Sequence, residues 1–243
     1  MKERESNFEL LRIIAMIMII GLHYFGYCQA NLILTSGINY HFYHFMESVC
    51  ICGVNVFVLI TGFFSVRQNS LKINKILSLL IDVLIWGTIG YVLMITIGHG
   101  NPNIKDYIKI IIPYLWGGRW FVSSYIILLL LIPYINKCVL SINRKSYEIL
   151  ILILVLLFSI WPSFLPSPPI DNFGYGFTHF ILLYVISTYI RLYVSTLPSK
   201  KNCIILFIVS TIIVYFSSIL GIGYAYAYNY IFVIIQAISL VSR

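Results

Sequence analysis

Apolar residues along this chain come in blocks of about twenty, with polar residues gathered at the joints. Runs long enough to cross about 30 Å of hydrocarbon as helices fall at roughly 8–28, 42–64, 76–98, 120–140, 147–165, 174–194, 203–221 and 228–242. Eight spans are therefore expected, the last cut short. The joints are short and carry Pro, Gly, Ser and Asn, as in His99-Gly-Asn-Pro102, Pro162-Ser-Phe-Leu-Pro-Ser-Pro-Pro169 and Leu197-Pro-Ser-Lys200. None is long enough to fold as a second domain. The stretch Tyr107–Gly118 is apolar, yet too short and too broken by Pro113 to cross. It reads as an interfacial or re-entrant piece. No repeat or low-complexity segment stands out.

Composition agrees. The 243 residues are 60% hydrophobic and 10% charged, far from the soluble average, so the chain belongs in lipid as an all-α, polytopic transmembrane bundle. Lys and Arg orient it, because cytoplasmic loops carry the excess. Lys2 and Arg4 precede the first span; Arg67, Lys72 and Lys75 follow the second; Lys137, Arg144 and Lys145 the fourth; Arg191, Lys200 and Lys201 the sixth. Loops after spans one, five and seven have none. Only Lys105, Lys109 and Arg119 break the alternation. A cytoplasmic N-terminus follows. The net charge of +8 is absorbed by this asymmetry, so no nucleic-acid partner is called for.

The first span is charged at its start like a signal peptide, but its apolar stretch is too long and no small-x-small cleavage site follows. It is read as a retained anchor. Cys28, Cys50, Cys52, Cys138 and Cys203 show neither metal nor disulfide-framework spacing. They read as apolar filler.

Candidate chemistry starts inside the first span, where Arg12 and His23 are eleven residues, about three turns, apart. They share a face and lie roughly 16 Å apart along the axis. Arg12 falls near the cytoplasmic rim and His23 deep in or past the middle. An ionisable group at the bilayer centre costs on the order of 2.5–3.5 kcal/mol, so it normally faces protein or a wet cavity and marks function. The pair suits an anionic ligand whose phosphates meet Arg12 while its reactive end reaches an imidazole, the side chain best suited to proton transfer. Bland alternatives stand beside this: His23 as interhelical glue, and Arg12 as a snorkelling anchor paired to Glu9 at i,i+3.

This arrangement resembles the acyltransferase-3 family of integral membrane O-acyltransferases, in which a basic residue, ten intervening residues and a catalytic histidine occupy the first helix. Gly53-Val-Asn-Val-Phe-Val-Leu-Ile-Thr-Gly-Phe-Phe64 is similar to the family's second-helix ending, usually Ser-Gly-Phe, and Trp120-Phe-Val-Ser-Ser-Tyr125 leading to Pro133 is a further match. The family's paired arginines after the second helix are replaced by Lys72-Ile-Asn-Lys75, with Arg67 nearby. The charges and spacing persist; the guanidinium forks that hold phosphate bidentately do not.

The resemblance implies one transmembrane acyltransferase domain over 1–243 that lacks the last helices of a family with usually about ten spans. It implies a multi-pass protein of a bacterial cytoplasmic membrane. It also implies transfer of an acetyl or short acyl group from acetyl-CoA or another acyl-CoA to a hydroxyl on a surface or lipid-linked saccharide. His23 would be catalytic, and Arg12, Lys72, Lys75 and Arg67 would bind the donor. A glycolipid transporter or flippase, or a truncated non-catalytic relative, is the alternative.

On the acceptor side, His41, His44 and Glu47 follow at three-residue intervals at the outer start of span two. His41 and Glu47 diverge across the helix face, so a wet polar cavity is favoured over a metal site, and no metal is called. His44 and Glu47 are candidates for substrate contact, with Glu47 as an orienting carboxylate. Arg119, Trp120 and Tyr125 are further candidates, since sugars stack on such rings, although an interfacial aromatic belt explains the rings equally. Asp82, within span three, is expected to pair across helices.

Overall fold

In a computed structural model the chain is described over residues 6–28, 37–98, 103–111, 120–165, 172–195 and 198–242, and these are helices and connecting turns without strands. Among the described residues six helices are long and apolar enough to cross a membrane, and Phe177–Tyr193 and Ile231–Val241 are shorter apolar helices. Their outward faces are oily: Ile13, Ile17 and Ile20 on the first helix are about 60% exposed. In water such surface would aggregate; against lipid tails it costs nothing. The protein is a multi-pass membrane protein.

The chain divides into two compact units, Met1–Arg67 with Val139–Arg243, and Gln68–Cys138. In the first unit, α1 (Ser6–Leu22) buries Ala15, Met18 and Leu22 along one stripe and continues into a π-helical segment, His23–Cys28. Next come α2 (Ile38–Cys50) and α3 (Gly53–Ser65), joined through Ile51–Cys52 into one 28-residue apolar element.

The unit's interior is built on α3 and α9 (Phe177–Tyr193), which are buried nearly all round and pack on each other. Small residues let them approach. A Cβ on Gly62 would meet Ser187 Cβ at 2.9 Å and Tyr184 O at 3.0 Å, and one on Gly53 would meet Ala15 O and Met18 Cβ at 3.0 Å. In lipid, close packing and interhelical hydrogen bonds do the work that the hydrophobic effect does in water. Ser187 Oγ accordingly donates to Leu59 O, and Tyr147 of α7 (Arg144–Val155) donates to Val185 O at 3.0 Å.

A second π-helical segment, Leu156–Ile160, runs into α8 (Trp161–Phe164). Finally α10 (Lys200–Ile219) and α11 (Ile231–Val241) pair with each other, α10 also against α2 and α11 against α3. Ser199 caps α10 by accepting from Asn202 N. The eleven residues of α11 rise only about 16 Å, short of the bilayer core.

The second unit holds α4 (Ile73–Thr96), α5 (Ile104–Ile111) and α6 (Trp120–Ser141), whose last residues pass the unit boundary. The piece expected to be interfacial or re-entrant is helical through its first part, in the eight-residue α5; residues 112–119, Arg119 among them, lie outside the described residues. Asp82 is exposed on α4 and makes no ion pair among the described residues, unlike the cross-helix pairing expected of it.

Candidate functional site

The first unit carries polar groups at both ends of its helices. On α1, Arg12 and His23 lie within about 20° of each other by ideal helical geometry, roughly a quarter turn from the buried stripe. Arg12 is held by two contacts. Its Nη1 donates to Glu9 Oε1 at 2.5 Å, and its guanidinium lies 5.5 Å from the ring centroid of Phe64 at the end of α3. Phe64 and Phe63 both pack on Phe8, with centroids 4.9 Å apart, and Arg191 of α9 stacks on Phe63 at 4.6 Å. The Thr61-Gly62-Phe63 motif thus does two physical things. Gly62 admits α9, and Phe63 anchors α1 and Arg191.

His23 opens the π-helical segment, a local unwinding frequent at functional sites. Its Nδ1 lies 2.8 Å from Ile19 O. A carbonyl can only accept, so Nδ1 carries the proton, and in the neutral ring Nε2 holds the lone pair. The side chain is exposed. One turn on, Glu47 of α2 approaches so closely that a Cβ on Gly26 would meet its Oε1 at 2.7 Å. Glu47 therefore stands over the segment that starts at His23.

His41 and His44 point elsewhere. His41 Nδ1 is 2.7 Å from Tyr215 Oη; His44 Nδ1 is 2.9 Å from Tyr226 Oη and 3.2 Å from Ser218 Oγ. Tyr226 spends its single proton on His44 O at 3.0 Å, so its oxygen accepts from His44 Nδ1–H. Burial is the main reason the Tyr226 phenol is pushed up to about 12, and the hydroxyl keeps its proton at neutral pH. Beneath this cluster, Gln236 Nε2 donates to Ser48 O (3.0 Å) and to Thr211 Oγ1 (2.7 Å).

A second relay is buried deeper. His179 Nε2 donates to Asn55 Oδ1 at 3.0 Å, and Asn55 Nδ2 donates to Tyr228 O at 2.8 Å. Sequence reasoning missed His179, Ser218, Tyr226 and Gln236. Their signal was the tyrosine-rich joint Tyr224–Tyr230 and a histidine inside an apolar run.

The remaining candidates are dispersed. Arg67 is exposed just after α3. Lys72 and Lys75, exposed at the start of α4, belong to the second unit. So do Trp120 and Tyr125, half-buried on α6, where Phe121 stacks on Tyr125 at 5.6 Å between centroids. Among the described residues no group of three His, Cys, Asp or Glu side chains could hold a metal.

Membrane-length helices with outward apolar faces, the first carrying an arginine and a histidine on one flank, define a polytopic membrane protein. The sequence model of the acyltransferase-3 family, described as an acyltransferase domain, matches residues 5–242, so the chain belongs to that family and is an acyltransferase. No curated protein and no solved structure matches it significantly.

Proposed function

We propose that this acyltransferase moves an acetyl or other short acyl group from acyl-CoA to a hydroxyl of a surface or lipid-linked saccharide. The observation that carries the reading is His23: an exposed imidazole with Nδ1–H tied to Ile19 O, eleven residues from Arg12 on the same flank of the same helix.

In this reading the acceptor oxygen attacks the thioester carbonyl as its proton passes to His23 Nε2. The carbon–sulfur bond then breaks, and the coenzyme thiolate takes that proton. The Ile19 bond keeps the ring in the tautomer that can accept, and general-base help of this kind is typically worth 10²–10⁴-fold. Arg12, oriented by Glu9 and Phe64, meets the donor's phosphates. Arg67, Lys72 and Lys75 are assigned to the same anion from their charge and place in the sequence. Glu47 and His44 act on the acceptor side; Arg119, Trp120 and Tyr125 are assigned there from sequence. The positive-inside pattern supports a cytoplasmic N-terminus, and the family resemblance supports a bacterial cytoplasmic membrane.

The test is purified protein in lipid nanodiscs, incubated with radiolabelled acetyl-CoA and extracted glycolipid. Label should move to the glycolipid. A protein that relocates glycolipid across the membrane without acylating it would be a flippase.

A further inference from the structure

At the end of the first unit where Ser218 and Tyr226 lie, a cavity of about 410 Å³ opens between the turn before α9 and the turns joining α10 to α11. Phe173, Tyr175, Tyr224 and Tyr226 give it rings, and Ser217 and Ser218 give it hydroxyls; the other lining residues are Gly and Ala. The volume falls within the range of small-molecule sites. Among the described residues that line it, none carries a charge.

Two features indicate that this wall is built rather than left over. Phe173 is the only non-glycine with positive φ among the described residues, at 54°. A bulky residue there is strained, and such strain persists where surrounding structure enforces it, often at ligand sites. Here Tyr228 N donates to Phe173 O at 3.0 Å, and the Phe173 ring is held against Tyr224 with centroids 4.6 Å apart.

The second feature is His44, which reaches two wall hydroxyls at once. Tyr226 donates to His44 O and accepts from Nδ1–H, so its proton is committed; it also hydrogen-bonds Ser218 and Ser48, and an incoming hydroxyl would replace the Ser218 bond. Ser218 Oγ, 3.2 Å from the same nitrogen, can turn its proton toward the cavity. An acceptor and a donor side by side match neighbouring hydroxyls on one ring, and the aryl groups match that ring's C–H face.

We propose that this cavity seats one neutral sugar residue of the acceptor, stacked on Phe173 and Tyr224 and hydrogen-bonded to Ser218 and Tyr226, with His44 as the positioning residue behind them. The assignment rests on the acyl-transfer reading for its use, but not for its binding.

The experiment is saturation-transfer NMR on the full chain in nanodiscs. The probes are four neutral methyl glycosides (gluco, galacto, manno and N-acetylglucosamine) and methyl glucuronide. At least one neutral glycoside should receive saturation from the aromatic resonances, and the glucuronide should not. Phe173→Gly removes the ring while relieving the backbone, so binding should weaken at least tenfold with the melting midpoint held or raised; Tyr224→Leu should weaken binding similarly. Equal saturation of the glucuronide, no saturation of any neutral glycoside, or parental binding in both ring variants overturns the assignment. Binding without acetyl transfer in the parent protein would sink the acyl-transfer reading alone. Acetyl transfer whose acceptor KM ignores both ring variants would sink this site alone.

Discussion

Nδ1 of His23 donates to the carbonyl of Ile19, one turn back on the same helix, at 2.8 Å. That bond sets which nitrogen can act as a base, and it uses the helix itself as the orienting group. The first π-helical residue is where the backbone departs from α1, so the imidazole sits at the end of a regular helix whose other end presents Arg12.

Arg12 is preset by Glu9 and Phe64. A charge-assisted bond to a phosphate is worth about 1.5–3 kcal/mol, so Arg12→Ala should raise the acyl-CoA KM by about ten- to a hundredfold with a smaller change in kcat. Arg12→Lys keeps the charge but not the planar fork and should recover only part. Steady-state kinetics against donor concentration checks both. Unchanged donor KM in Arg12→Ala would reduce Arg12 to an interface anchor.

Gly62 and Gly90 form a contrasting pair. A Cβ on Gly62 would strike Ser187 and Tyr184, whereas one on Gly90 would meet nothing within 4 Å. Gly62→Ala should therefore lower stability by about 1–3 kcal/mol through overpacking, while Gly90→Ala should raise it by up to about 1 kcal/mol from helix propensity. Thermal unfolding in detergent distinguishes them.

The Asn55 amide links His179 to Tyr228 O. Asn55→Ala leaves a buried donor and a buried carbonyl unpaired, at about 1–3 kcal/mol for each group. The melting midpoint of Asn55→Ala should fall below the parent's; an unchanged midpoint would show that the relay contributes nothing.

What was legible in the sequence was local. Membrane-length runs follow from the length of a helix that spans hydrocarbon, and the eleven-residue spacing of Arg12 and His23 is a property of one helix. The divergence of His41 from Glu47 could be read the same way. What escaped was set by distant pairing. His44 finds Ser218 and Tyr226, 174 and 182 residues away, and nothing in the tyrosine-rich joint 224–230 names the histidine it will meet. The π-helical start at His23 was also hidden, because Gly21 and Gly26 beside it do not by themselves say which residue unwinds. Asp82 shows the opposite error: an acidic residue in an apolar run suggests a partner, yet its side chain is exposed on α4.

Acyl transfer by His23→Ala in nanodiscs, measured with radiolabelled acetyl-CoA and glycolipid beside the parent protein, decides whether this imidazole is the base. The variant should insert and melt as the parent does while its rate falls by at least about 10²-fold. Transfer at the parent rate by a fully inserted His23→Ala protein would contradict the assignment outright.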